Sequence, residues 1–143
     1  MRSYLQPYSA FSKTLNKMMN AALKEARKAS KKDYVPVGAM LQLNGKIIAR
    51  AHNEKFWHAE ILCIQKAVKK FGDSNALANA TMFVTVEPCA MCMYAIRLAR
   101  IGKVIFGAYN KNKPLPEPEK IGGINELEAK TLIQEFFQKK RNK

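Results

Sequence analysis

The sequence predicts an α/β domain of three layers, α/β/α, formed by residues 1–143 as one unit. Amphipathic helical patterns alternate with short apolar, β-branched runs, in the order α-β-β-α-β-α-β-α. An Asn-Gly pair separates two of the runs, and a strand–helix–strand order follows later in the chain. With 143 residues, of which 48% are hydrophobic, the chain can bury a core without disulfide bonds.

The first half of the chain predicts a helix, a hairpin and a second helix. Apolar residues recur at helical spacing over Thr14–Lys31, which predicts an amphipathic helix with a lysine-rich outer face. In VPVGAMLQLNGKIIARA, two apolar runs flank Asn44-Gly45, whose tolerance of positive φ predicts an antiparallel hairpin. Residues Ala59–Phe71 are again helical in pattern, and Gly72 is placed to end that helix.

The second half predicts two strands on either side of a helix, and then a final helix. The apolar run Thr81–Val86 is typical of a buried strand. A helix from Cys89 to about Arg100 and a strand over Lys103–Ala108 should complete a parallel crossover. The stretch KNKPLPEPEK, residues 111–120, predicts a proline-rich loop before a helix from Asn125 to about Lys140.

The chain is strongly basic. It has 25 Lys and Arg against 11 Asp and Glu, which gives a formal net charge of +14. Such an imbalance favours a polyanionic partner such as nucleic acid, although a solvated lysine-rich surface would produce the same number. No stretch is apolar and long enough for a membrane span or a signal peptide. Three cysteines do not form a secreted disulfide framework, so we expect a reducing, cytoplasmic compartment and no membrane partner.

Two of the three cysteines lie close together in EPCAMCMYA. Pro88 suits the first turn of a helix, and Cys89 and Cys92 would then project from the same side of that turn. The positive end of the helix dipole favours thiolate there, and paired thiolates bind zinc. A redox pair has the same spacing, so this motif alone leaves both interpretations open.

A second motif lies upstream in WHAEILCI. His58 and Glu60 open the preceding predicted helix, as the two cysteines open the next one. If both helices begin at one edge of the sheet, His58, Cys89 and Cys92 supply three zinc ligands and leave the fourth position for water. Glu60 lies two residues beyond the histidine, so it points away from the ligand position and is free to move protons.

Neighbouring residues have less specific interpretations. Cys63 lies within the predicted helix beside apolar residues, which favours a buried structural thiol over a fourth ligand. His52 has no Glu or Cys at ligand spacing, which favours a loop or strand-end residue. Phe56 and Trp57 precede His58 and could stack on a base, or could equally line the pocket wall or a subunit contact.

The combination H-A-E and P-C-x-x-C is similar to the signature of the zinc-dependent cytidine deaminase superfamily. The resemblance implies a cytidine-deaminase-like domain with a mixed, mostly five-stranded sheet. It also implies one Zn²⁺ per chain, bound by His58, Cys89 and Cys92, and hydrolytic deamination by a zinc-activated water. Glu60 would be the catalytic proton shuttle.

Within that superfamily, the blocks VPVGA, HAEIL, VTVEPCAMC, ARIGKVIFGA and FFQKKR resemble the bacterial tRNA adenosine deaminases. That resemblance implies a homodimer that converts wobble adenosine to inosine in the tRNA anticodon loop. The implied contacts are Asn53, Val37 and Ala59 for the substrate, and Lys139, Lys140 and Arg141 for the nucleic acid. The chain departs from that family in two places: only four residues separate Asn53 from His58, where the family has a longer loop that helps to shape the substrate pocket, and the segment after Tyr109, where RNA or dimer contacts are made in the family, is shorter.

Two other functions remain open at this stage. One is a deaminase of a free base or nucleotide, such as cytosine, guanine or a dCMP-like compound, for which a charge of +14 would be unnecessary. The other is a zinc-stabilised RNA-binding module without activity. Glu60 argues against this second alternative, because a purely structural site needs no proton carrier.

Overall fold

The computed structural model describes residues 5–72, 74–110, 119 and 122–142. These residues fall into two compact units, Met1–Lys111 and Asn112–Lys143. The prediction that residues 1–143 form one domain therefore stays a prediction. The elements of the first unit are α1 (Leu5–Lys31), β1 (Gly38–Leu43), β2 (Lys46–His52), α2 (Ala59–Phe71), a 3₁₀ helix (Ser74–Leu77), β3 (Thr81–Val86), α3 (Ala90–Leu98) and β4 (Lys103–Ala108). The second unit contains α4 (Glu126–Arg141).

The strands form one mixed sheet in the order β2-β1-β3-β4. Strand β1 is antiparallel to both of its neighbours, and β3 pairs with β4 in parallel, as the strand–helix–strand pattern predicted. The prediction of a mostly five-stranded sheet is wrong, since the described residues form four strands. The sequence after β4 contains Pro114, Pro116 and Pro118, which cannot donate to a sheet ladder, and no alternating apolar run precedes α4.

Alternation along the strands divides the core into two layers, which confirms the α/β/α architecture. On one face, Leu41 of β1 and Val84 of β3 pack with buried residues of α2 and α3. On the other face, Met40 and Phe83 pack against Ala21 and Ala22 of α1. None of the helices in the described part of the chain has both the length and the apolar character that a bilayer crossing requires.

The local sequence signals predicted most of the element boundaries. Asn44 and Gly45 form the hairpin turn with φ values of 53° and 79°. Helix α2 ends at Gly72, which caps it in the left-handed conformation with a φ of 92°. Helix α1 starts at Leu5, well before the predicted Thr14. Pro7 lies within the first turn, where a missing N–H costs nothing, so the sequence contains no signal that ends the helix there. The predicted loop over residues 111–120 lies outside the described residues except for Glu119.

Helix α1 lies very close to β1 at Gly38. A Cβ atom at that position would come within 1.9 Å of the Ala22 carbonyl oxygen and 2.6 Å of the Ala26 nitrogen. Only a glycine fits between the strand and the helix backbone. A charged residue is also buried near this contact. It is Glu25, which lies one turn further along the same face of α1.

Glu25 forms a buried hydrogen-bonded pair with His52, the last residue of β2. Its Oε1 atom lies 2.8 Å from Nδ1 of His52, and its Oε2 atom accepts a hydrogen bond of 3.0 Å from Lys28. Nε2 of His52 lies 3.3 Å from Nζ of Lys32. Burial on its own raises the pKa of the Glu25 carboxyl, but the contacts with His52 and Lys28 outweigh it and hold that pKa below its ordinary value of 4.5.

The Glu25 carboxylate should therefore stabilise the fold in a pH-dependent manner. Because its folded pKa lies below the unfolded one, the stabilisation is present above about pH 4.5 and is lost as the pH falls through the lowered pKa. We expect Glu25→Gln to reduce the free energy of unfolding at pH 7 by roughly 1.5–3 kcal/mol, the range for a hydrogen bond to a charged group. Urea denaturation between pH 7 and pH 3 should show the difference from wild type shrinking with acid.

Glu54→Gln is the matched control, since Glu54 is exposed and its substitution should change stability by less than about 0.5 kcal/mol. A Glu25→Gln deficit that grew as the pH fell would contradict the assigned direction of the pKa shift.

Candidate active site

The strand order brings the beginnings of two helices to one edge of the sheet. Since β1 is antiparallel to both β2 and β3, those two strands end at the same edge, where β1 begins. Gly38 at the start of β1 pairs with His52 at the end of β2, and Ala39 pairs with Val84 of β3. Helices α2 and α3 follow these strand ends, so their N-termini lie at this edge, as the two motifs predicted.

His58, Cys89 and Cys92 come together at this edge. Nδ1 of His58 lies 3.3 Å from Sγ of Cys92 and 3.7 Å from Sγ of Cys89, and all the ligand atoms lie within 4.8 Å of one another. A tetrahedral zinc with Zn–N of about 2.1 Å and Zn–S of about 2.3 Å would separate nitrogen and sulfur by about 3.6 Å. The two measured distances bracket that value, so the donor set fits one zinc ion. Three ligands leave one tetrahedral position open.

The two cysteines begin α3 as predicted. Cys89 is the N-cap residue, with φ and ψ of −71° and 173°, and Cys92 lies one turn later on the same side. Burial, together with the nearby charge of Glu60 and the Cys89 sulfur, raises the pKa of the Cys92 thiol well above its ordinary value. A buried thiolate at this place therefore needs a cation, which agrees with the metal-ligand interpretation and with the absence of a disulfide between these cysteines.

Glu60 lies beside the ligands in the first turn of α2. Its side chain is buried, with 4% of the residue exposed. Burial raises the pKa of its carboxyl, while its own backbone, His58 and Cys92 partly offset that increase. A carboxyl group with a raised pKa next to a water-binding position is suited to accept and return a proton near neutral pH.

Asn53 connects the end of β2 to the beginning of α2. Its Oδ1 accepts a hydrogen bond of 2.7 Å from the backbone N–H of Ala59, one of the donors that the first turn of a helix leaves unpaired. Its own backbone N–H donates to the carbonyl of Val37 at 3.0 Å. The structure thus joins the three predicted substrate-contact residues in one hydrogen-bonded group next to His58. Their contacts with a substrate stay a prediction.

The predicted nucleic-acid contacts lie in the second unit. Lys139, Lys140 and Arg141 occupy the last turn of α4, where cations are favoured by the negative end of the helix dipole, and all three are exposed. Nζ of Lys140 lies 5.5 Å from the ring centroid of Phe136, whose ring packs edge-on against Phe137. The described part of α4 therefore presents aromatic rings and cations together on one exposed end.

Several polar contacts that support the site were not predicted from the sequence. The backbone N–H of Asn110 donates to Oε1 of Glu87 at 3.1 Å, and the N–H of Glu87 donates to the carbonyl of Ala108 at 2.8 Å. These bonds hold the loop before Cys89 against the end of β4. Thr85 is buried, and its hydroxyl accepts a hydrogen bond from the N–H of Gly38 at 3.0 Å. No spacing rule could have identified these contacts, because the partners are distant in sequence.

Two interpretations of single residues are confirmed. Cys63 is fully buried, lies outside the metal-ligand group, and has a thiol pKa raised to about 12 by burial. His52 is the last residue of β2, at a strand end as expected. Its hydrogen-bonded contact with Glu25 was not predicted, although an acidic residue within the apolar stripe of α1 was a signal for a buried partner.

The ligand geometry predicts that substitutions at two buried cysteines, Cys92 and Cys63, have different effects on zinc content. Zinc-loaded wild-type protein should hold one zinc per chain, measured by plasma mass spectrometry against protein concentration. Cys92→Ser should lose most of that zinc and unfold more readily, because a serine hydroxyl replaces the thiolate and metal binding contributes to stability.

Cys63→Ser is the matched control, as both thiols are fully buried but only Cys92 belongs to the ligand group. It should keep one zinc per chain. Loss of zinc from Cys63→Ser with retention in Cys92→Ser would overturn the ligand assignment.

Comparisons with known proteins agree with this geometry. Residues 12–108 match the family model described as the cytidine and deoxycytidylate deaminase zinc-binding region. A tRNA-specific adenosine deaminase of Bacillus subtilis is 39% identical over 145 residues, covering 87% of this chain and 89% of the relative. The enzyme of that name from Aquifex aeolicus is 38% identical, with coverage of 87% and 94%.

Solved structures resemble the fold as well. A structure from a study of A-to-I editing by tRNA:A34 deaminases at the wobble position of transfer RNA is 41% identical, with a TM-score of 0.61 over 66% of this chain and 77% of the other. A guanine deaminase from Bacillus subtilis has a TM-score of 0.68 over 90% and 94%, but at 24% identity it shows the fold alone. The chain therefore belongs to the zinc-binding family of cytidine and deoxycytidylate deaminases, and it is a zinc-dependent hydrolytic deaminase.

Proposed function

We propose that the protein hydrolyses adenosine to inosine at the wobble position of tRNA. The observation that carries this function is the group of His58, Cys89 and Cys92 with Glu60 buried beside it, in a chain 39% identical to a tRNA-specific adenosine deaminase over 87% of its length. The net charge of +14 supports a polyanionic substrate over a free base.

Different residues of this chain carry out metal binding and proton transfer in the proposed reaction. His58, Cys89 and Cys92 would hold a zinc ion, which when bound would supply a water molecule of lowered pKa at the open position. Glu60 accepts a proton from that water and delivers it to a ring nitrogen of the adenine. As the water oxygen bonds to C6, the exocyclic amine leaves as ammonia, and Glu60 carries the second proton to the leaving group.

Asn53 orients the base in this scheme. Because its Oδ1 is already bonded to the N–H of Ala59, the amide cannot rotate freely, and its NH₂ group serves as a donor to the substrate. The carbonyl of Val37 fixes the backbone of Asn53 from the other side. This pre-organisation places the substrate donor at a fixed distance from α2, which carries Glu60.

The protein acts as a homodimer in the cytoplasm. The groove between α2 and α3 is apolar, has a volume of about 290 Å³ and is lined by Ile61, Ile64, Gln65, Val68, Ala95, Leu98 and Ala99. Met91, Tyr94 and Leu98 extend it as an exposed strip along α3, which supports an interface between two copies. Free cysteines and a tRNA substrate support the cytoplasmic location.

The proposed role of Glu60 predicts that Glu60→Gln abolishes turnover without removing zinc. The amide keeps the shape of the carboxyl but cannot accept a proton, so the rate should fall by roughly 10²–10⁴-fold or more. Purified zinc-loaded protein is incubated with tRNA and, separately, with free adenosine, guanine and cytosine, and inosine and ammonia are assayed. Wild type should form inosine in tRNA and leave the free bases unchanged.

Glu128→Gln makes the same chemical change at an exposed position of α4 and should retain the wild-type rate. Wild-type rates in Glu60→Gln would refute the proton-shuttle role. Turnover of a free base with no inosine in tRNA would instead refute the substrate assignment.

The basic end of α4 should contribute to tRNA affinity through phosphate contacts. Replacing Lys139, Lys140 and Arg141 with Ala should weaken tRNA binding and flatten the slope of log affinity against log salt, since fewer counterions are released. Zinc content should not change. Filter binding between about 50 and 200 mM salt measures the slope.

A control with equal charge loss uses three exposed lysines on α2. These are Lys66, Lys69 and Lys70. Their replacement with Ala should change the salt slope less than the α4 substitutions do. Equal slopes in the two triple variants would show that binding depends on net charge and not on the end of α4.

A further inference from the structure

Two large aromatic side chains are exposed directly beside the site. Phe56 is 78% exposed and Trp57 is 53% exposed, in the four-residue turn from Glu54 to Trp57. Their ring centroids lie 5.5 Å apart with an interplanar angle of 77°. Rings of this size normally bury most of their surface, so a pair that leaves it in water requires an explanation.

The turn holds these rings in a fixed position. The N–H of Glu54 donates to the carbonyl of Trp57 at 3.0 Å, and the N–H of Trp57 donates to the carbonyl of Glu54 at 2.8 Å. Lys55 adopts the left-handed conformation, with a φ of 54°, that so tight a turn requires. Asn53, which is bonded to α2, precedes the turn, and the metal ligand His58 follows it. The short turn is therefore anchored next to the site on both sides, by Asn53 and by His58, and this fixes the position of the two rings.

We propose that Phe56 and Trp57 form a stacking platform for an unpaired nucleotide that flanks the target adenosine. This inference rests on the proposed function. An RNA loop presents neighbouring bases unstacked when the target base enters a pocket, and aromatic side chains receive such bases. Trp57 and Phe56 lie one and two residues before the metal ligand His58, within reach of a neighbouring nucleotide.

The chemistry of the turn favours a nucleotide over an apolar protein surface. The rings are preceded in the turn by the exposed charged side chains of Glu54 and Lys55, and Lys55 can reach a phosphate of the stacked nucleotide. The exposed apolar strip along α3 is a better candidate for an apolar subunit contact. Stacking a base on such a ring contributes about 1–3 kcal/mol, or a change of roughly 5- to 150-fold in affinity.

The single tryptophan of the chain makes the stacking directly observable. Zinc-loaded Glu60→Gln protein, which binds without turnover, is titrated with a tRNA anticodon stem-loop while the fluorescence of Trp57 is recorded. We expect quenching as the base stacks on the indole. Stem-loops with an abasic residue on one side of the target or on the other should identify the stacked nucleotide, because one of the two should abolish the quenching. Binding without quenching would overturn the platform.

Variants at Trp57 measure how much the stacking platform contributes to stem-loop affinity. In the same Glu60→Gln background, Trp57→Ala should weaken stem-loop binding by roughly 5- to 150-fold, whereas Trp57→Phe should retain most of the affinity. Phe71→Ala removes an exposed aromatic ring at the far end of α2 and should leave the affinity unchanged. The Trp57→Ala defect should disappear when the stem-loop carries the abasic residue that abolished the quenching, since that RNA has no base to stack.

The other outcomes are distinguishable. If Trp57→Ala converts a dimer to a monomer in sedimentation, and its defect persists on the abasic stem-loop, the rings form a subunit contact and the platform is wrong. If only the platform is wrong, the wild type still makes inosine in tRNA, and Trp57→Ala binds the stem-loop as tightly as the protein that keeps Trp57. If wild type neither binds the stem-loop nor makes inosine in tRNA, both the proposed function and the platform are overturned.

Discussion

The site depends on one feature of the sheet, the antiparallel pairing of β1 with both of its neighbours. This pairing makes β2 and β3 end at the same edge, so that the helices after them begin side by side. His58 and Cys89 occupy the N-cap positions of those helices, and Cys92 follows one turn later. The helix dipoles then favour negative charge at this edge, which is what thiolate ligands and a carboxylate require. Gly38 is part of the same constraint, because its lack of a side chain lets α1 contact β1 at the strand residue opposite His52.

The electrostatics of the edge make folding and chemistry interdependent. Cys92 and Glu60 are both buried, and burial raises the pKa of each, while the charge of Glu60 raises the pKa of the Cys92 thiol further, so burial conflicts with the ionised state of both groups. A divalent cation at the three ligands removes that conflict, since two thiolates neutralise its charge and Glu60 gains a positive neighbour. The fully buried Cys63, which lies outside the ligand group, has no such cation and keeps its proton. The same metal that supports the reaction should therefore stabilise this edge of the sheet.

Sequence patterns predicted the elements and the metal ligands because both leave local signals. A turn at Asn44-Gly45, a stop at Gly72 and the spacing of His58, Cys89 and Cys92 can each be recognised within a few residues. The buried pair of Glu25 and His52 joins residues 27 positions apart, and its existence depends on how α1 crosses the sheet, which no local pattern specifies. The predicted fifth strand, which the described residues do not form, came from the family resemblance alone, and no local pattern in this sequence indicated it.

The fold alone does not identify the substrate. The fold is shared with a guanine deaminase at 24% identity, so neither the sheet nor the helix arrangement can distinguish an RNA from a free base. In the proposed mechanism, the carboxyl of Glu60 and the three ligands act only on the atoms being exchanged. Two groups of residues outside that centre are exposed: the aromatic rings of Phe56 and Trp57 at the turn, and the cations at the end of α4. A free base is too small to occupy the pocket and the rings together, whereas a nucleotide chain can bind both. If both proposals hold, selectivity for RNA resides on the surface of this enzyme, where a bound polymer would offset the exposure of apolar rings and the repulsion among cations.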